Sequence, residues 1–287
     1  MSGEFILLQT LNALSFAGLL FLVASGFTLI FGLMNIVNLA HGGFYLVGGY
    51  IGLTTILATG SFWLGVLAAG LGIGLLGTAT ERVLLRPVRG QETAEVLLTV
   101  GLVLVLGDMS LAIWGGDPRT LPAPDYLSGA FDLGPVFYPR FRLFVLLLAV
   151  AVGVLLWFIE SRTRVGAIVR AGVDDREMIA ALGINIRRVF SGMFLLGAFL
   201  AGISGVIGGT FLSIEPGVDV EIVLFALVVV ILGGLGSLPG AAIGALIVGF
   251  IDAFARALIP ELAFFTLFAP MVIVLVVRPQ GLLGRRA

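Results

Sequence analysis

The sequence predicts an all-α polytopic membrane protein of eight or nine transmembrane helices, several of them interrupted by glycine, on three observations. Of the 287 residues, 59% are hydrophobic and only 11% charged; a soluble domain carries about 25% charged residues, so this chain has too few charges to coat a water-facing surface. Apolar runs of about twenty residues recur from end to end, each long enough to cross a hydrocarbon core about 30 Å thick at about 1.5 Å per residue. The sixteen basic residues are all arginine and gather in a few short loops.

Taken in order, the first run carries Glu4 where a signal peptide would be basic, and no small-residue cleavage site follows, so it is expected to stay as a helix. The predicted spans are Gln9 to Phe31, Leu39 to Leu57, Phe62 to Leu84, Ala94 to Trp114, Phe141 to Ile159 and Val189 to Leu212. Val220 to Leu258 is apolar throughout but is broken at Gly233 to Gly240, which reads either as two spans or as a broken re-entrant hairpin. Leu262 to Val277 closes the series.

Arginine placement orients these spans, because basic residues stay on the cytoplasmic side. Arg82, Arg86 and Arg89 follow the third span, six more lie from Arg162 to Arg188, and Arg278, Arg285 and Arg286 end the chain. That puts twelve of sixteen on one side, with Arg119, Arg140, Arg142 and Arg256 on the other. The expected topology has the amino terminus outside, the carboxyl terminus inside and therefore an odd number of crossings, nine. Within one transmembrane domain over residues 1–287, the stretch 161–188 is then a cytoplasmic loop. The stretch 115–140, with Asp117, Asp125, Asp132 and five prolines, is an outer one. The last four spans run opposite to the first four, as in an inverted repeat, and each half holds one glycine-interrupted segment, Asn35 to Gly52 and Gly233 to Gly249. Sequence similarity between the halves is faint.

Absences restrict the chemistry. Without lysine the chain cannot carry a phosphate-binding P-loop, so any ATP is hydrolysed on another subunit; a lysine Schiff base is excluded for the same reason. No cysteine and one histidine exclude thiolate chemistry and His-rich zinc or haem sites, so no metal, cofactor or catalytic residue is expected in this chain, and no nucleic-acid partner. Gly72-Ile73-Gly74-Leu75-Leu76-Gly77 matches a dinucleotide fingerprint as a string, but no strand precedes it. With Gly197, Ala201, Gly205 and Gly209 it reads instead as a small-residue face for close helix packing.

The most informative water-facing stretch runs from Arg170 to Ile184. Asp174 is suited to an N-cap, Glu177 stands at the capping-box position and Gly183 suits a left-handed stop, predicting a helix of about eight residues. Met178, Ile179 and Leu182 form an apolar stripe on it, which needs either the bilayer surface, its own bundle or a partner protein. This run resembles the coupling-helix loop of ABC importer permeases, in the version found in branched-chain amino-acid permeases. Gly32-Leu33-Met34-Asn35-Ile36-Val37-Asn38-Leu39-Ala40-His41-Gly42, Leu232-Gly233-Gly234-Leu235-Gly236-Ser237-Leu238-Pro239-Gly240-Ala241 and Arg278-Pro279-Gln280-Gly281-Leu282-Leu283-Gly284 are similar to that family too.

The resemblance implies a single transmembrane permease domain, the shorter of two homologous permease subunits, in the bacterial inner membrane. Two ABC ATPase subunits carrying ATP and magnesium, a second permease and a periplasmic binding protein would complete the importer. Arg170, Asp174, Glu177, Met178, Ile179, Ala181, Leu182 and Gly183 would couple to an ATPase. Branched-chain or other apolar amino acids suit such a path, with urea and short amides as the alternative cargo.

Beside the resemblance, Asn35, Asn38 and His41, flanked by Gly42 and Gly43, read in two ways: a broken helix lining or gating the path, or a cytoplasmic turn with the asparagines as caps. Gly233, Gly234, Gly236, Ser237 and Gly240 read as a flexible break beside the path. Asp252 with Arg256 reads as a local helix pair. Asp108 is expected to face the bundle interior, and Glu215, Asp219 and Glu221 a solvated outer mouth. An ion-coupled secondary transporter would rest on Asp108 alone, and an intramembrane enzyme on His41 alone.

Overall fold

The computed structural model describes residues 2–34, 38–174, 178–179 and 182–284. Helices dominate: α1 (Gly3–Met34), α2 (His41–Thr59), α3 (Phe62–Val88) and α4 (Glu92–Trp114) precede a long loop. In that loop β1 (Ala130–Asp132) and β2 (Phe137–Pro139) form an antiparallel hairpin. Then follow α5 (Arg140–Arg162), α6 (Arg164–Asp174), α7 (Ile186–Phe211), α8 (Val218–Gly233), α9 (Leu238–Leu258) and α10 (Ala263–Val277).

Seven of these, α1 to α5, α7 and α9, are long and apolar enough to cross a membrane. With 16 and 15 residues, α8 and α10 reach only about 24 and 22 Å at 1.5 Å per residue. Adding these two apolar helices brings the described bundle to nine. The ambiguous stretch 220–258 resolves into a hairpin of one short and one full-length helix, α8 against α9. Expected and observed spans agree closely except for α1, which extends at both ends.

The bundle has two ends. One, the basic end, carries the end of α3, the start of α4, the α5–α6 junction, the start of α7 and the α8–α9 turn. The other, the loop end, holds residues 115–139. There Trp114 stacks on Tyr50 at 4.9 Å between centroids and donates to Thr54 (2.9 Å), while Trp63 donates to Tyr126 (2.6 Å); tryptophan and tyrosine are favoured at such a boundary. The loop is tied down: Arg119 and Ile214 exchange two backbone hydrogen bonds, and the buried Tyr138 hydroxyl donates to the Leu11 carbonyl (2.8 Å) and lies 3.0 Å from Ser15 Oγ. Burial pushes the Tyr138 phenol pKa up from its ordinary value.

The core is built on α1, α2 and α7, and small residues make that possible. A Cβ on Gly48 would lie 2.6 Å from the Gly202 backbone, and one on Gly205 would lie 2.0 Å from the Tyr45 carbonyl oxygen, so α2 and α7 meet backbone to backbone. Gly197 faces the Gly26 carbonyl in the same way, and Gly74 and Gly77 of the rejected dinucleotide string pack on α7. Helix association in lipid relies on such close van der Waals contact. By contrast α4 and α5 turn many large apolar side chains outward, among them Leu104, Val105, Leu147 and Val154.

At the basic end α3 continues through a π-helical turn, Glu81–Leu85. The Glu81 carboxylate is 1% exposed; it accepts from Ser191 Oγ (2.7 Å) and from Arg86 (3.4 Å), binding α3 to the start of α7.

Candidate functional site

Three regions carry polar groups that the bundle positions. The first lies at mid-depth. His41 opens α2, yet its Nε2–H donates to the carbonyl of Val23 (3.0 Å), eleven residues before the end of α1, or about 16 Å along that helix. Gly43 packs on Val103 and Leu106, midway along α4. So α2 starts inside the bundle, and the interfacial-turn reading of Asn38 and His41 gives way to a broken-helix geometry.

Asn38 is 1% exposed with neither side-chain atom hydrogen-bonded, and the His41 Nδ1 and the hydroxyls of Tyr45 and Thr28 are likewise buried without partners. Asn35 lies outside the described residues. The start of α8 meets this point, because a Cβ on Gly42 would fall 2.0 Å from the Asp219 carbonyl oxygen. Two helix N-termini, each with partial positive charge, thus converge on the buried Asp219, whose carboxylate accepts from the Gly217 amide (3.0 Å). The expected solvated mouth loses Asp219 to this interior, while Glu221 stays exposed and Glu215 partly so. Asp108, expected inside, is exposed on the outward face of α4, because α4 packs on α2 through Val103, Leu106 and Ser110 instead.

The second region is the basic end. Arg170 lies within α6, whose described residues run to Asp174; the predicted cap rests on the Asp174 side chain and on residues 175–177, which lie outside the described residues. Thr163, with an extended backbone, caps the start of α6, its side-chain oxygen accepting from the Gly166 amide (3.2 Å). Met178 and Ile179 are helical, and the segment ends at Gly183, φ +78°, where the Ile184 amide donates to the Ile179 carbonyl (3.3 Å), a Schellman closure. Ile179 is buried, whereas Met178 and Leu182 are 59% and 67% exposed. Glu177, Ala181 and the side chain of Asp174 lie outside what is described.

The α8–α9 turn, where the sequence suggests a flexible break beside the path, stands nearby. Gly234 and Gly236 adopt positive φ (+107° and +77°), and Gly233 and Gly240 press backbone on backbone. Ser237 caps α9 by accepting from the Gly240 amide (3.1 Å). The amides of Leu282 and Leu283 donate to the carbonyls of Leu232 and Gly233 (3.0 and 2.9 Å), strapping the carboxyl-terminal segment across the turn. Between this turn, α1, α5, α6 and α7 is a cavity of about 530 Å³.

The third region is a vestibule of about 470 Å³ at the loop end. Phe16, Ile222 and Phe225 give it an apolar floor, and its rim carries charges of both signs. Arg142 donates to Asn12 (2.6 Å) and lies 4.9 Å from the Phe211 ring centre, and Arg256 Nε donates to both carboxylate oxygens of Asp252 (2.9 and 2.8 Å). Glu215 and Glu221 complete the rim. Sequence reasoning read Asp252 with Arg256 as a local pair and Glu215 with Glu221 at a mouth; none of their spacings signals that five elements bring them together with Arg142.

The sequence profile of the family described as branched-chain amino acid transport system / permease component matches residues 9–277. The chain belongs to this permease family. It is 31% identical to the high-affinity branched-chain amino acid transport system permease protein LivH of Escherichia coli (strain K12), covering 99% of this chain and 98% of that one. It is 30% identical to BraD, the corresponding permease protein of Pseudomonas aeruginosa, covering 96% and 95%. Among solved structures, PsaBC from Streptococcus pneumoniae in complex with Fab aligns with a TM-score of 0.52 over 94% of this chain and 91% of that one, at 14% identity, a likeness of fold alone. The permease is therefore a multi-pass membrane transport subunit.

Proposed function

We propose that this permease carries branched-chain or closely similar apolar amino acids across the bacterial inner membrane as one subunit of an ATP-binding-cassette importer. The observation that carries this reading is the near-end-to-end similarity to branched-chain permeases, 99% of this chain against 98% of LivH. The chain has no lysine for a P-loop of its own, so two separate ATPase subunits, with ATP and magnesium, would supply the energy. A second permease and a periplasmic binding protein would complete the assembly.

In this reading the basic end is cytoplasmic, by the retention of arginine there, with the amino terminus outside. Met178 and Leu182 face an ATPase, Ile179 anchors the segment to the bundle, and Arg170 on α6 carries the motion inward. The vestibule at the loop end receives the amino acid: its floor suits an aliphatic side chain and its mixed charges suit a zwitterion. Asn38, His41, Gly42 and Gly43 line the narrow mid-depth passage, and the turn from Gly233 to Gly240 braces its inner side.

The deciding experiment is uptake of radiolabelled leucine by cells that lack their own branched-chain transporters but carry this permease with its genomic partners. Uptake that needs all subunits and is competed by isoleucine and valine supports the reading. Uptake of urea or acetamide with none of leucine would overturn the cargo.

A further inference from the structure

The loop at residues 115–139 carries large apolar side chains that a water-facing loop has no use for. Phe131, Leu133 and Phe137, on and beside the β-hairpin, are 46%, 42% and 71% exposed, and Tyr126 is 61% exposed. Exposed apolar surface of this size marks a contact with something other than water. Strand register sorts the hairpin into two faces, because directly opposed residues share one. Tyr138, opposite Phe131, is buried and bonded to α1, so Phe137, opposite Asp132, belongs to the face turned away from that helix.

Neighbouring contacts set the depth of the loop. Strand β2 runs without a break into α5, whose apolar run starts at Phe141. Trp63 packs edge-on against Phe144, one turn into α5, and the same indole donates to the Tyr126 hydroxyl (2.6 Å). A residue of the loop thus lies level with the membrane-length helix Arg140–Arg162, at the depth where tryptophan and tyrosine are favoured. Outward side chains of α5 such as Leu147 carry the apolar surface on from there. Arg140 adds a cation at the same level: its guanidinium lies 5.1 Å from the Phe131 ring centre and pairs with no carboxylate among the described residues. A guanidinium stacked by its face keeps its N–H edges for phosphate oxygens.

We propose that the hairpin at residues 130–139 is seated in the phospholipid headgroup layer at the loop end, with Phe137 against the first acyl carbons and Arg140 on a lipid phosphate. The occupant is lipid because this surface continues the outward apolar side of α5. It is a zwitterionic phospholipid because the exposed Asp125 and Asp132 nearby repel a strongly anionic surface. Held in that layer, the hairpin fixes the first turn of α5, and with it Arg142 at the vestibule rim, two residues beyond Arg140. The inference depends neither on the cargo nor on which end of the bundle is cytoplasmic.

The test uses the full-length chain, which has no cysteine of its own, in phosphatidylcholine nanodiscs. Phe137→Cys carries a bimane label; Asp117→Cys, in an exposed part of the same loop, and Leu147→Cys, on the outward side of α5, carry it as references. Lipid spin-labelled near its headgroup should quench the label at 137 and spare the one at 117. Aqueous iodide should quench at 137 about tenfold less than at 117, the ratio expected when one aromatic ring leaves water. Arg140→Gln should reduce the quenching by spin-labelled lipid at 137, while Arg140→Lys retains it. Unchanged quenching at 147 by lipid labelled deep in its acyl chain shows that the bundle is intact in each variant. A label at 137 that iodide reaches as readily as at 117 overturns the proposal, and so does one shielded from both quenchers, which would mean a protein contact. Equal lipid quenching in Arg140→Gln and the wild type removes the phosphate contact.

Discussion

Gly42→Ala is the sharpest probe of the mid-depth geometry. The added methyl would stand 2.0 Å from the Asp219 carbonyl oxygen and 3.1 Å from Val223 Cβ. Ordinary contact begins at 3.4 Å, so α2 and α8 must part by about 1.4 Å, the difference between the two distances. Neither contacting atom is a flexible side-chain end, and overpacking of this kind costs about 1–3 kcal/mol. The separation also moves His41 off the Val23 carbonyl. Gly101→Ala, in α4, is the control: nothing lies within 4 Å of its added methyl, and alanine in place of a helical glycine favours the helix by about 1 kcal/mol. Thermal unfolding in one detergent, followed by fluorescence-detected size exclusion, should place Gly42→Ala below the wild type and Gly101→Ala at or above it. Leucine uptake should fall in the first and persist in the second. If Gly42→Ala melts with the wild type and transports normally, the close apposition of α2 and α8 is wrong.

Three further outcomes follow from the basic end. Met178→Asp with Leu182→Asp should leave folding intact, since both side chains are more than half exposed, yet cut co-purification with the ATPase subunits at least tenfold; undiminished capture removes the docking role. Glu81→Ala deprives the buried Ser191 hydroxyl of its acceptor and should destabilise the protein by about 1–3 kcal/mol, read as a lower melting temperature. Arg86 is 40% exposed and adds little to that figure. Arg187→Cys, in a chain with no other cysteine, should be unreachable by an impermeant maleimide from outside intact cells; prompt labelling there would reverse the proposed orientation.

How much of this was legible in the sequence differs from element to element. The spans were legible because each is an apolar run bounded by charge or glycine, and the environment leaves the backbone no alternative to a helix. The small-residue face of α7 was legible from its four-residue spacing. What the sequence could not give was depth. Asn38, His41 and the glycines after them are compatible with an interfacial turn or with a buried break, and only contact with Val23 and Val103 separates the two. At the coupling segment, Thr163 offered a helix start that a reading from Arg170 onward passes over, and the helix it caps carries Arg170. Asp108 was misplaced because its orientation depends on which α4 stripe packs on α2, and α4 is apolar on every side. The vestibule was invisible because its polar groups are spread from Asn12 to Arg256.

The packing limits how any motion can pass through this permease. Where Gly48 meets Gly202, and Gly26 meets Gly197, main chain rests on main chain, with no side chain to change rotamer. Close-packed interfaces of this sort switch as units and do not deform gradually. Helices α1, α2 and α7 therefore form one block, and the hairpin α8–α9, strapped by residues 282 and 283, is joined to it in the same way, Gly249 against the Ala13 carbonyl and Gly42 against the Asp219 carbonyl. A push delivered at Gly183 reaches α7 almost at once, because only Ile184 and Asn185 separate that glycine from the helix. On the proposed reading, the place where α2 and α8 meet at mid-depth is the junction of Gly42 with Asp219. That junction is also where Asn38 and His41 keep unpaired polar atoms out of reach of bulk water. A passage that opens by parting α2 from α8 would expose those groups to a crossing zwitterion and reseal them against apolar neighbours when it closes.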